Sequence, residues 1–405
     1  MNKFEIDIFF KKLQDSFIEK FIRNKKEKKY IPKSDSFVNI LSPGRVNIIG
    51  EHTDYNLGLA ISTAINKYIF LTGLRGNSEN IEVYSKYFND YYKFLLSDIT
   101  LDKNILWVNY IKGVLKEYIQ NNYKLGGFSV FIDSNLPIGA GISSSAALEV
   151  GIAKFIEELF NLAVDRKETV KYCHSAENNF VGTKCGLLDQ LSAVYGKENY
   201  AIFINFKDLS YEYIPFDLKD NLILIIDSKE ERKLSNTEYN KRRMECSNAT
   251  KIIASLVKNR DISSLADIDL NLLYKSKGNL PEKLFRRAKH VINENNRVLL
   301  SKDCLLRGDI KKLGLILLES HNSLRYDYEV STEKLNFLVD EVAKIRGVHG
   351  ARLMGAGFGG SVISIVNRNR INDIIDILGK KFFKNFGIIP NFIEALTSEG
   401  TRRVN

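Results

Sequence analysis

The sequence predicts an α+β fold made of two domains of comparable size that share a substrate cleft. The chain has 405 residues, of which 44% are hydrophobic, and a chain of this length usually forms more than one core. Strand-like runs dominate residues 36–132, whereas the stretch from residue 229 to about residue 345 is mainly helical. We place the boundary in the polar segment 205–220 and divide the chain into residues 1–212 and 213–405.

The first domain is predicted to contain strands joined by polar turns, interrupted by one helix and followed by two more. Apolar, β-branched and aromatic residues concentrate in FVNIL (37–41), AINKYIFLTGL (64–74), NIEVYSKYF (80–88) and GGFSVFID (126–133). The interrupting helix is WVNYIKGVLKEYI (107–119). The next begins near Ser143, and its stripe at spacings of three and four is Ala147, Leu148, Gly151, Ile152, Phe155, Ile156 and Leu159. The last covers residues 166–179.

The second domain is predicted to combine a few strands with many helices. NLILIIDS (221–228) is typical of a buried strand, and SVISIV (361–366) is a second strand that follows a glycine-rich loop. The helical stretch between them completes an α+β arrangement.

Hydropathy and cysteine spacing favour a cytoplasmic protein. No apolar run approaches the roughly 18 to 20 residues that cross a bilayer. The amino-terminal stretch MNKFEIDIFFKKLQDSF lacks the regions of a signal peptide. Cysteines 173, 185, 246 and 304 form no CxxC pair, so we expect reduced thiols rather than disulfides or a zinc site.

The net charge of +10 raises the question of nucleic-acid binding. The one local basic cluster, FIRNKKEKKY (21–30), is short and contains Glu27, so we interpret it as a solvated helix end. Elsewhere Lys and Arg are interspersed with Asp and Glu, and no helix-turn-helix, zinc-finger or RNA-binding motif is present. We therefore expect no nucleic-acid or membrane partner, and the charge suits small polyanionic substrates.

A glycine- and serine-rich turn, LPIGAGISSSAALEV (136–150), leads from a predicted strand into a predicted helix. Free N–H groups and the positive end of the helix dipole make such a turn an anion site, and Gly139 and Gly141 let a phosphate approach closely. A tight turn with a serine helix cap is the alternative. The segment lacks the lysine of a Walker A loop and the third glycine of a Rossmann fingerprint.

A second glycine cluster, MGAGFGGSVISIV (354–366), matches the letters GxGxxG but is followed by a strand. A dinucleotide-binding loop must open a helix, so this interpretation is unfavourable. We expect a loop that packs near the phosphate site, with an ordinary hairpin turn as the alternative.

The segment SPGRVNIIGEHTDYNLG (42–58) crowds Arg45, Glu51, His52 and Asp54 into a short stretch. Carboxylates and an imidazole suit sugar hydroxyls, which need several directed hydrogen bonds at once. Two alternatives are a metal site at His52 and Asp54 and a solvated polar loop.

Together these three segments resemble the motifs of the GHMP kinases, and GRVNIIGEHTDYN resembles the galactokinase signature in particular. Further blocks that look like galactokinase occur in the expected order: LWVNYIKGV (106–114), AENNFVGTKCGLLDQLSAVYG (176–196), NTEYNKRRMEC (236–246), RRAKHVINENNRV (286–298) and ESHNSLRYDYEVSTEKL (319–335). The resemblance implies an amino-terminal domain like ribosomal protein S5 domain 2 and a carboxyl-terminal ferredoxin-like domain. Leu353, Met354 and Ser361 depart from the family's usual Met, Thr and Cys, which bears only on the packing of that loop.

The resemblance also implies roles for individual residues. Asp189 matches the aspartate that accepts the proton of the sugar hydroxyl, and Arg45 matches the arginine that keeps it ionised and stabilises developing charge. Ser145 and Glu177 match the ligands of a magnesium ion that bridges ATP phosphates. The matched sugar-binding positions are Glu51, His52, Asp54, Gly186 and Tyr239.

For ATP, the implied binding positions are Gly139, Ala140, Gly141, Ile142, Ser143, Ser144 and Ser145 in the loop, together with Ser85 and Trp107. Trp107 and Tyr110 resemble the aromatic wall of the adenine pocket, although an aromatic pair at this spacing is also common in a core.

The implied activity is ATP- and Mg²⁺-dependent phosphorylation of the anomeric hydroxyl of α-D-galactose, a step of the Leloir pathway, by a chain expected to be a monomer. Alternatives are a kinase for N-acetylgalactosamine, arabinose or galacturonate, and a sugar sensor without turnover. The complete serine run together with Asp189 and Arg45 favours turnover.

Overall fold

Two β-sheets organise the computed structural model, which describes residues 3–23, 32–137, 139–183, 185–231, 235–257 and 260–404. The first sheet contains β1 (Val38–Ile49), β2 (Leu59–Arg75), β3 (Asn80–Ser85), β4 (Asp90–Leu95), β5 (Phe128–Ser134), β6 (Tyr200–Asn205), β7 (Ser210–Pro215) and β12 (Arg402–Val404). The second contains β8 (Asn221–Asp227), β9 (Val348–Met354), β10 (Ser361–Asn367) and β11 (Asn391–Ala395).

The helices flank these sheets. They are α1 (Lys3–Phe17), α2 (Val108–Gln120), α3 (Ser144–Phe160), α4 (Arg166–Ser175), α5 (Leu188–Tyr195), α6 (Ser235–Ser255), α7 (Leu270–Lys275), α8 (Glu282–Arg307), α9 (Ile310–Tyr326), α10 (Glu333–Val342) and α11 (Ile371–Phe386). Helices and sheets thus occur in both halves, which confirms the predicted α+β class.

The first sheet is covered on both faces because its strands carry apolar residues in both directions. Ile40 belongs to the main core beneath α3, whereas its neighbour Leu41 packs with Phe10 and Phe17 of α1. Successive side chains of a strand point to opposite faces, so this alternation buries the whole of β1. The strand order is β12-β1-β2-β5-β3-β4, and β6 and β7 extend from β2.

Strand β1 is longer than the sequence predicts. The predicted strand FVNIL continues through Ile49, so Arg45 lies on a buried strand rather than in a polar loop. The pairing with β2 shifts register between Pro43 and Arg45. Proline cannot donate to a ladder and is found at such irregularities, so the bulge lets the strand pass through the Pro-Gly pair.

Strands β4, β6, β7, β9, β11 and β12 were not predicted. The polar segment assigned as a boundary contains β7, whose residues alternate between exposed and partly buried positions. The predicted strand 80–88 ends at Ser85, where a turn leads into β4. Most of the basic cluster 21–30 lies outside the described residues, which end there at Arg23.

The second sheet is antiparallel throughout, in the order β11-β8-β10-β9. One of its faces packs with helices α6, α8, α10 and α11 around a core that includes Leu224, Val291, Leu338 and Leu378. The chain leaves the first sheet at Pro215 and enters the second at Asn221, but its last described strand, β12, pairs in the first sheet again. The division at residue 212 therefore stays a prediction. Among the described helices, none combines the length and apolarity needed to span a bilayer.

Candidate active site

A cavity of about 250 Å³ opens between the two sheets and collects residues that are far apart in sequence. It brings together nine predicted site residues: Arg45, Glu51, His52, Asp54, Gly141, Glu177, Gly186, Asp189 and Tyr239. Its other lining residues are Asn47, Gly50, Thr183, Cys185, Leu188, Gly355 and Ala356. The wall combines hydrogen-bond donors and acceptors with apolar surface in about equal measure, which suits a polyhydroxylated ligand.

Arg45 and Asp189 form an ion pair at one end of this cavity. Arg45 donates from Nε to Asp189 Oδ1 over 2.8 Å, and its Nη2 lies 2.6 Å from the same oxygen. Its Nη1 donates to the Gly141 carbonyl over 2.8 Å. Asp189 lies in the first turn of α5, and its side chain keeps 26% of its surface exposed, compared with 9% for Arg45. The carboxylate is therefore both paired and accessible to a ligand.

The glycine- and serine-rich turn lies at the amino terminus of α3. Gly139, Gly141 and Ser143 adopt φ angles of 84°, 76° and 59°, a left-handed conformation that is unusual for serine. A Cβ built on Gly139 meets no atom within 4 Å. The turn thus presents backbone to open space at the positive end of a helix dipole, which is the geometry predicted for an anion site.

A second cavity of about 500 Å³ adjoins this turn. Gly139, Gly141 and Ser143–Ser145 line it together with Arg45 and Asp189, and the Ser143 hydroxyl donates to Asp189 Oδ2. Four lining residues were missed from the sequence: Asp227, Lys229, Glu230 and Glu231. Asp227 ends β8 and the other three residues follow it. Lys229 has a left-handed φ of 56°, which sequence patterns do not reveal.

A third cavity of about 180 Å³ is lined by the predicted nucleotide residues Ser85 and Trp107 and by Tyr110, next to Ser144 and Ser145. Phe88 stacks on Trp107 with ring centroids 5.7 Å apart and an angle of 15° between planes. Phe88 and Tyr87 also line this cavity. Both were assigned to a strand, although they occupy the turn between β3 and β4. Flat aromatic walls of this kind suit a planar base.

Glu177 occupies a π-helical turn, Ala176–Val181, that continues α4. Such turns are frequent at functional sites. Its Oε2 accepts from Gln190 Nε2 over 2.7 Å and from Cys185 Sγ over 3.1 Å. Burial raises the pKa of Glu177, and hydrogen bonds from Cys185, Gln190 and Ser145 oppose that rise. A buried carboxylate beside a serine hydroxyl is a ligand pair that fits magnesium.

Asp54 and Gly186 approach each other so closely that only glycine fits. A Cβ built on Gly186 would lie 1.9 Å from Asp54 Oδ2 and 2.7 Å from Asp54 Cγ. Burial raises the pKa of Asp54 to about 6, and the nearby carboxylates of Glu51 and Asp189 add to the rise. Asp54 is therefore an acceptor that is ionised at neutral pH and close to its titration range.

His52 lies against an aromatic cluster formed by Tyr55, Tyr239 and Tyr328. Its Nδ1 is 2.8 Å from the Tyr55 hydroxyl and its Nε2 is 3.2 Å from the Ala356 carbonyl. Burial lowers the pKa of His52 to about 3, so the ring is neutral. Both ring nitrogens already have protein partners, which disfavours the alternative of a metal site at His52 and Asp54.

The second glycine cluster is the turn of an antiparallel hairpin, since Met354 of β9 pairs with Ser361 of β10. The hairpin turn also contacts the segment 42–58 and the glycine- and serine-rich turn 136–150. The Gly355 amide donates to Glu51 Oε1 over 2.7 Å, and the Ser361 hydroxyl donates to the Ala140 carbonyl over 2.7 Å. The hairpin alternative is therefore correct, and the predicted proximity to the phosphate loop holds as well.

Comparisons with known proteins first define the class. Residues 109–197 match the GHMP kinases N terminal domain and residues 301–385 the GHMP kinases C terminal domain. The mevalonate kinase of Methanococcus jannaschii, 21% identical, superposes with a TM-score of 0.64 over 91% of this chain and all of that chain. The chain therefore has the GHMP kinase fold, as the resemblance implied.

Closer comparisons narrow the class to one family. Residues 27–73 match the galactokinase galactose-binding signature. The galactokinase of Thermosipho africanus is 39% identical over 91% of this chain and all of its own length. The crystal structure of Lactococcus lactis galactokinase complexed with galactose is 31% identical, covers 98% of this chain and all of that chain, and gives a TM-score of 0.90. This chain belongs to the galactokinase family, the ATP-dependent sugar kinases of the GHMP superfamily.

Proposed function

We propose that this chain transfers the γ-phosphoryl group of ATP to the anomeric hydroxyl of α-D-galactose, producing ADP and α-D-galactose 1-phosphate. One observation carries the residue assignment: Arg45, Gly141 and Asp189 line both the cavity that contains the sugar-binding positions and the cavity beside the serine turn. A hydroxyl bound in the first cavity and a phosphate bound in the second therefore meet at Asp189. Holding both reactants in this way supplies much of the catalysis in phosphoryl transfer.

Asp189 is proposed as the proton acceptor. As the sugar oxygen forms its bond to the γ-phosphorus, the bond from that phosphorus to the bridging oxygen breaks, and the hydroxyl proton passes to the carboxylate. Arg45 donates to Asp189 Oδ1 from Nε and pairs with the same oxygen through Nη2, which fixes the orientation of this carboxylate. The sugar hydroxyl is therefore proposed to use Oδ2, the oxygen to which the Ser143 hydroxyl donates.

Ser145 and Glu177 are proposed to hold a magnesium ion together with ATP phosphates. When bound, the ion would neutralise phosphate charge, and Ser145 and Glu177 would be its protein ligands. Gln190 positions the Glu177 carboxylate by donating to its Oε2 over 2.7 Å.

Glu177→Gln should raise the Mg²⁺ concentration for half-maximal rate at least several-fold, and an unchanged Mg²⁺ dependence would show that Glu177 is not a ligand.

The sugar site is proposed to recognise galactose through the carboxyl groups of Glu51 and Asp54, with His52 and Tyr239 as further lining side chains. Asp54 is expected near the 3- and 4-hydroxyls, where the axial 4-hydroxyl distinguishes galactose from glucose. A site built for one epimer leaves buried polar groups unpaired with the other, at a cost of several kcal/mol.

A coupled ADP-release assay across a panel of aldoses tests this function. We expect turnover with galactose and little with glucose, N-acetylgalactosamine, arabinose or galacturonate. Faster turnover of one of the last three sugars would make the chain a kinase for that sugar. Galactose binding without ADP release from any sugar would identify a sensor.

We propose a monomer that acts in the cytoplasm, where the four cysteines, all free here, stay reduced.

A further inference from the structure

The sugar-binding segment of the first half is held in place by side chains of the second half. Segment 47–59 runs from the end of β1 through the turn that carries Glu51, His52 and Asp54. The Gly50 amide donates to Glu294 Oε1 over 3.1 Å, and the Leu59 amide donates to Asn295 Oδ1 over 2.9 Å. His290 Nε2 lies 3.2 Å from the Glu51 carbonyl. All three partners are on α8.

Arg352 of β9 makes the densest set of these contacts. It donates from Nε to the Ile48 carbonyl and from Nη2 to the Asn47 carbonyl, each over 2.6 Å. Its Nη1 donates to Glu51 Oε1 over 3.1 Å and to the carbonyl of its own neighbour Leu353 over 2.8 Å. The guanidinium is fully buried, at 0% exposure. Such a group persists only when its donors are paired, and here the partners belong to the sugar site.

The geometry of Glu51 explains why this matters for the sugar. Its two recorded donors, Arg352 Nη1 and the Gly355 amide, both bond Oε1. Among the described residues no donor is bonded to Oε2, so that oxygen stays available to a ligand in the cavity that Glu51 lines. Arg352 and the Gly355 amide together thus set the rotation of a carboxylate whose other oxygen faces the ligand cavity.

We propose that Arg352 is a positioning residue for galactose recognition, which holds Glu51 and the end of β1 in their binding arrangement without contacting the sugar. This inference rests on the proposed function, since it concerns the affinity for that sugar. A substitution of Arg352 should therefore weaken galactose binding but leave nucleotide binding unchanged. The reason is that Arg352 lines neither the cavity beside the serine turn nor the aromatic cavity.

The test compares Arg352→Lys with the parent protein by calorimetric titration of galactose and of ADP, and by steady-state kinetics. Lysine keeps the charge but cannot make the same fork of bonds. We expect the galactose Kd and KM to rise about 10-fold, a loss typical of a buried charged hydrogen bond, while the ADP Kd and kcat change by less than about threefold. Equal losses for galactose and ADP, or no loss for galactose, would overturn the proposal.

Arg287→Lys is the matched control. Arg287 is also fully buried, and it donates to the carboxylates of Glu245 and Glu329 and to the Asp327 carbonyl. None of these partners lines any of the three cavities. We expect this variant to lower the melting temperature without shifting the galactose Kd by more than about twofold. If both variants weaken galactose binding alike, the effect of Arg352 is general destabilisation, and the positioning role is wrong.

A second comparison keeps the proposal falsifiable if Arg352→Lys does not fold. Glu51→Gln is compared with the double variant Glu51→Gln/Arg352→Met, in which both charges of the buried pair are removed. If Arg352 acts mainly through the Glu51 carboxylate, the double variant binds galactose within about threefold of the single variant. A further loss of 10-fold or more would overturn the route through Glu51 and would leave only the bonds to the Asn47 and Ile48 carbonyls at the end of β1. Absence of galactose binding by the parent would instead refute the proposed function, and this inference with it.

Discussion

The two sides of the active site are built differently. On the sugar side, Glu51 and His52 are only 7% and 4% exposed. Hydrogen bonds with His290 and Arg352 hold Glu51, and one with the Ala356 carbonyl holds His52. On the phosphate side, the wall consists of a left-handed backbone turn and exposed residues such as Gly139 and Lys229. An uncharged polyol must find its acceptors already arranged, because it brings only weak dipoles. A polyphosphate brings its own charge, and backbone N–H groups at a helix terminus suffice to attract it.

The largest effect is expected at Asp189, which lines both the sugar-side and the phosphate-side cavity. Asp189→Asn keeps the size of the side chain but cannot take the sugar proton, so we expect turnover to fall at least 100-fold, since general-base catalysis contributes about 10²- to 10⁴-fold. Galactose affinity, measured by calorimetry, should change much less. Near-normal turnover would show that Asp189 is structural. If galactose binding is lost as well, the main role of Asp189 is to bind the sugar rather than to accept its proton.

A smaller effect is expected from Gly186→Ala, which tests how rigid the sugar side is. The new Cβ would lie 1.9 Å from Asp54 Oδ2, so the carboxylate must move. Overpacking of this kind costs about 2 kcal/mol, equivalent to an approximately 30-fold weaker galactose affinity. Gly278→Ala is the control, because a Cβ there meets no atom within 4 Å and φ is not positive. Normal galactose affinity in Gly186→Ala would show that the wall adapts.

The pH dependence of galactose binding is the next test. The pKa of Asp54 is raised to about 6, so this carboxylate takes up a proton as the pH falls through that value and loses its capacity as an acceptor. The galactose Kd should then rise about tenfold for each pH unit below 6 and stay level above 7. The Asp54→Asn variant binds more weakly and should lack this dependence. A Kd in the parent that is constant from pH 5 to 7.5 would contradict the assignment.

The smallest effect is expected on the nucleotide side. Trp107→Ala removes one ring of the Trp107–Phe88 stack, and an aromatic contact is worth about 1 kcal/mol, so the KM for ATP should rise about fivefold with kcat unchanged. Trp107→Phe should restore most of the affinity. Trp107 is also the only tryptophan of the chain, so its fluorescence should change on titration with ATP. A signal that responds to galactose alone would place the ring elsewhere.

The sequence predicted local features well and long-range ones poorly. The serine turn at the start of α3 follows from residues adjacent in the chain, since glycine spacing and apolar periodicity both act locally. Strand β7 was missed because its alternating pattern includes exposed residues of an edge strand. The Arg352–Glu51 pair spans 301 positions, and no periodicity connects such residues. The roles of Asp189 and Glu177 came from the resemblance to a family, and no spacing rule would have supplied them.

Strand β12 places a constraint on how the enzyme is made. Asn39 of β1 pairs with Val404, and the Ser42 hydroxyl lies 2.8 Å from that of Thr401, 359 positions later. While the ribosome is still synthesising the second half, β1 has not yet paired with β12. It also lacks the hydrogen bonds from Arg352 to its carboxyl end. Contacts of such high sequence separation form late and slow folding. A nascent or prematurely terminated chain therefore contains the complete sugar signature and phosphate turn but no assembled site, so synthesis yields an active kinase only after translation has passed both halves.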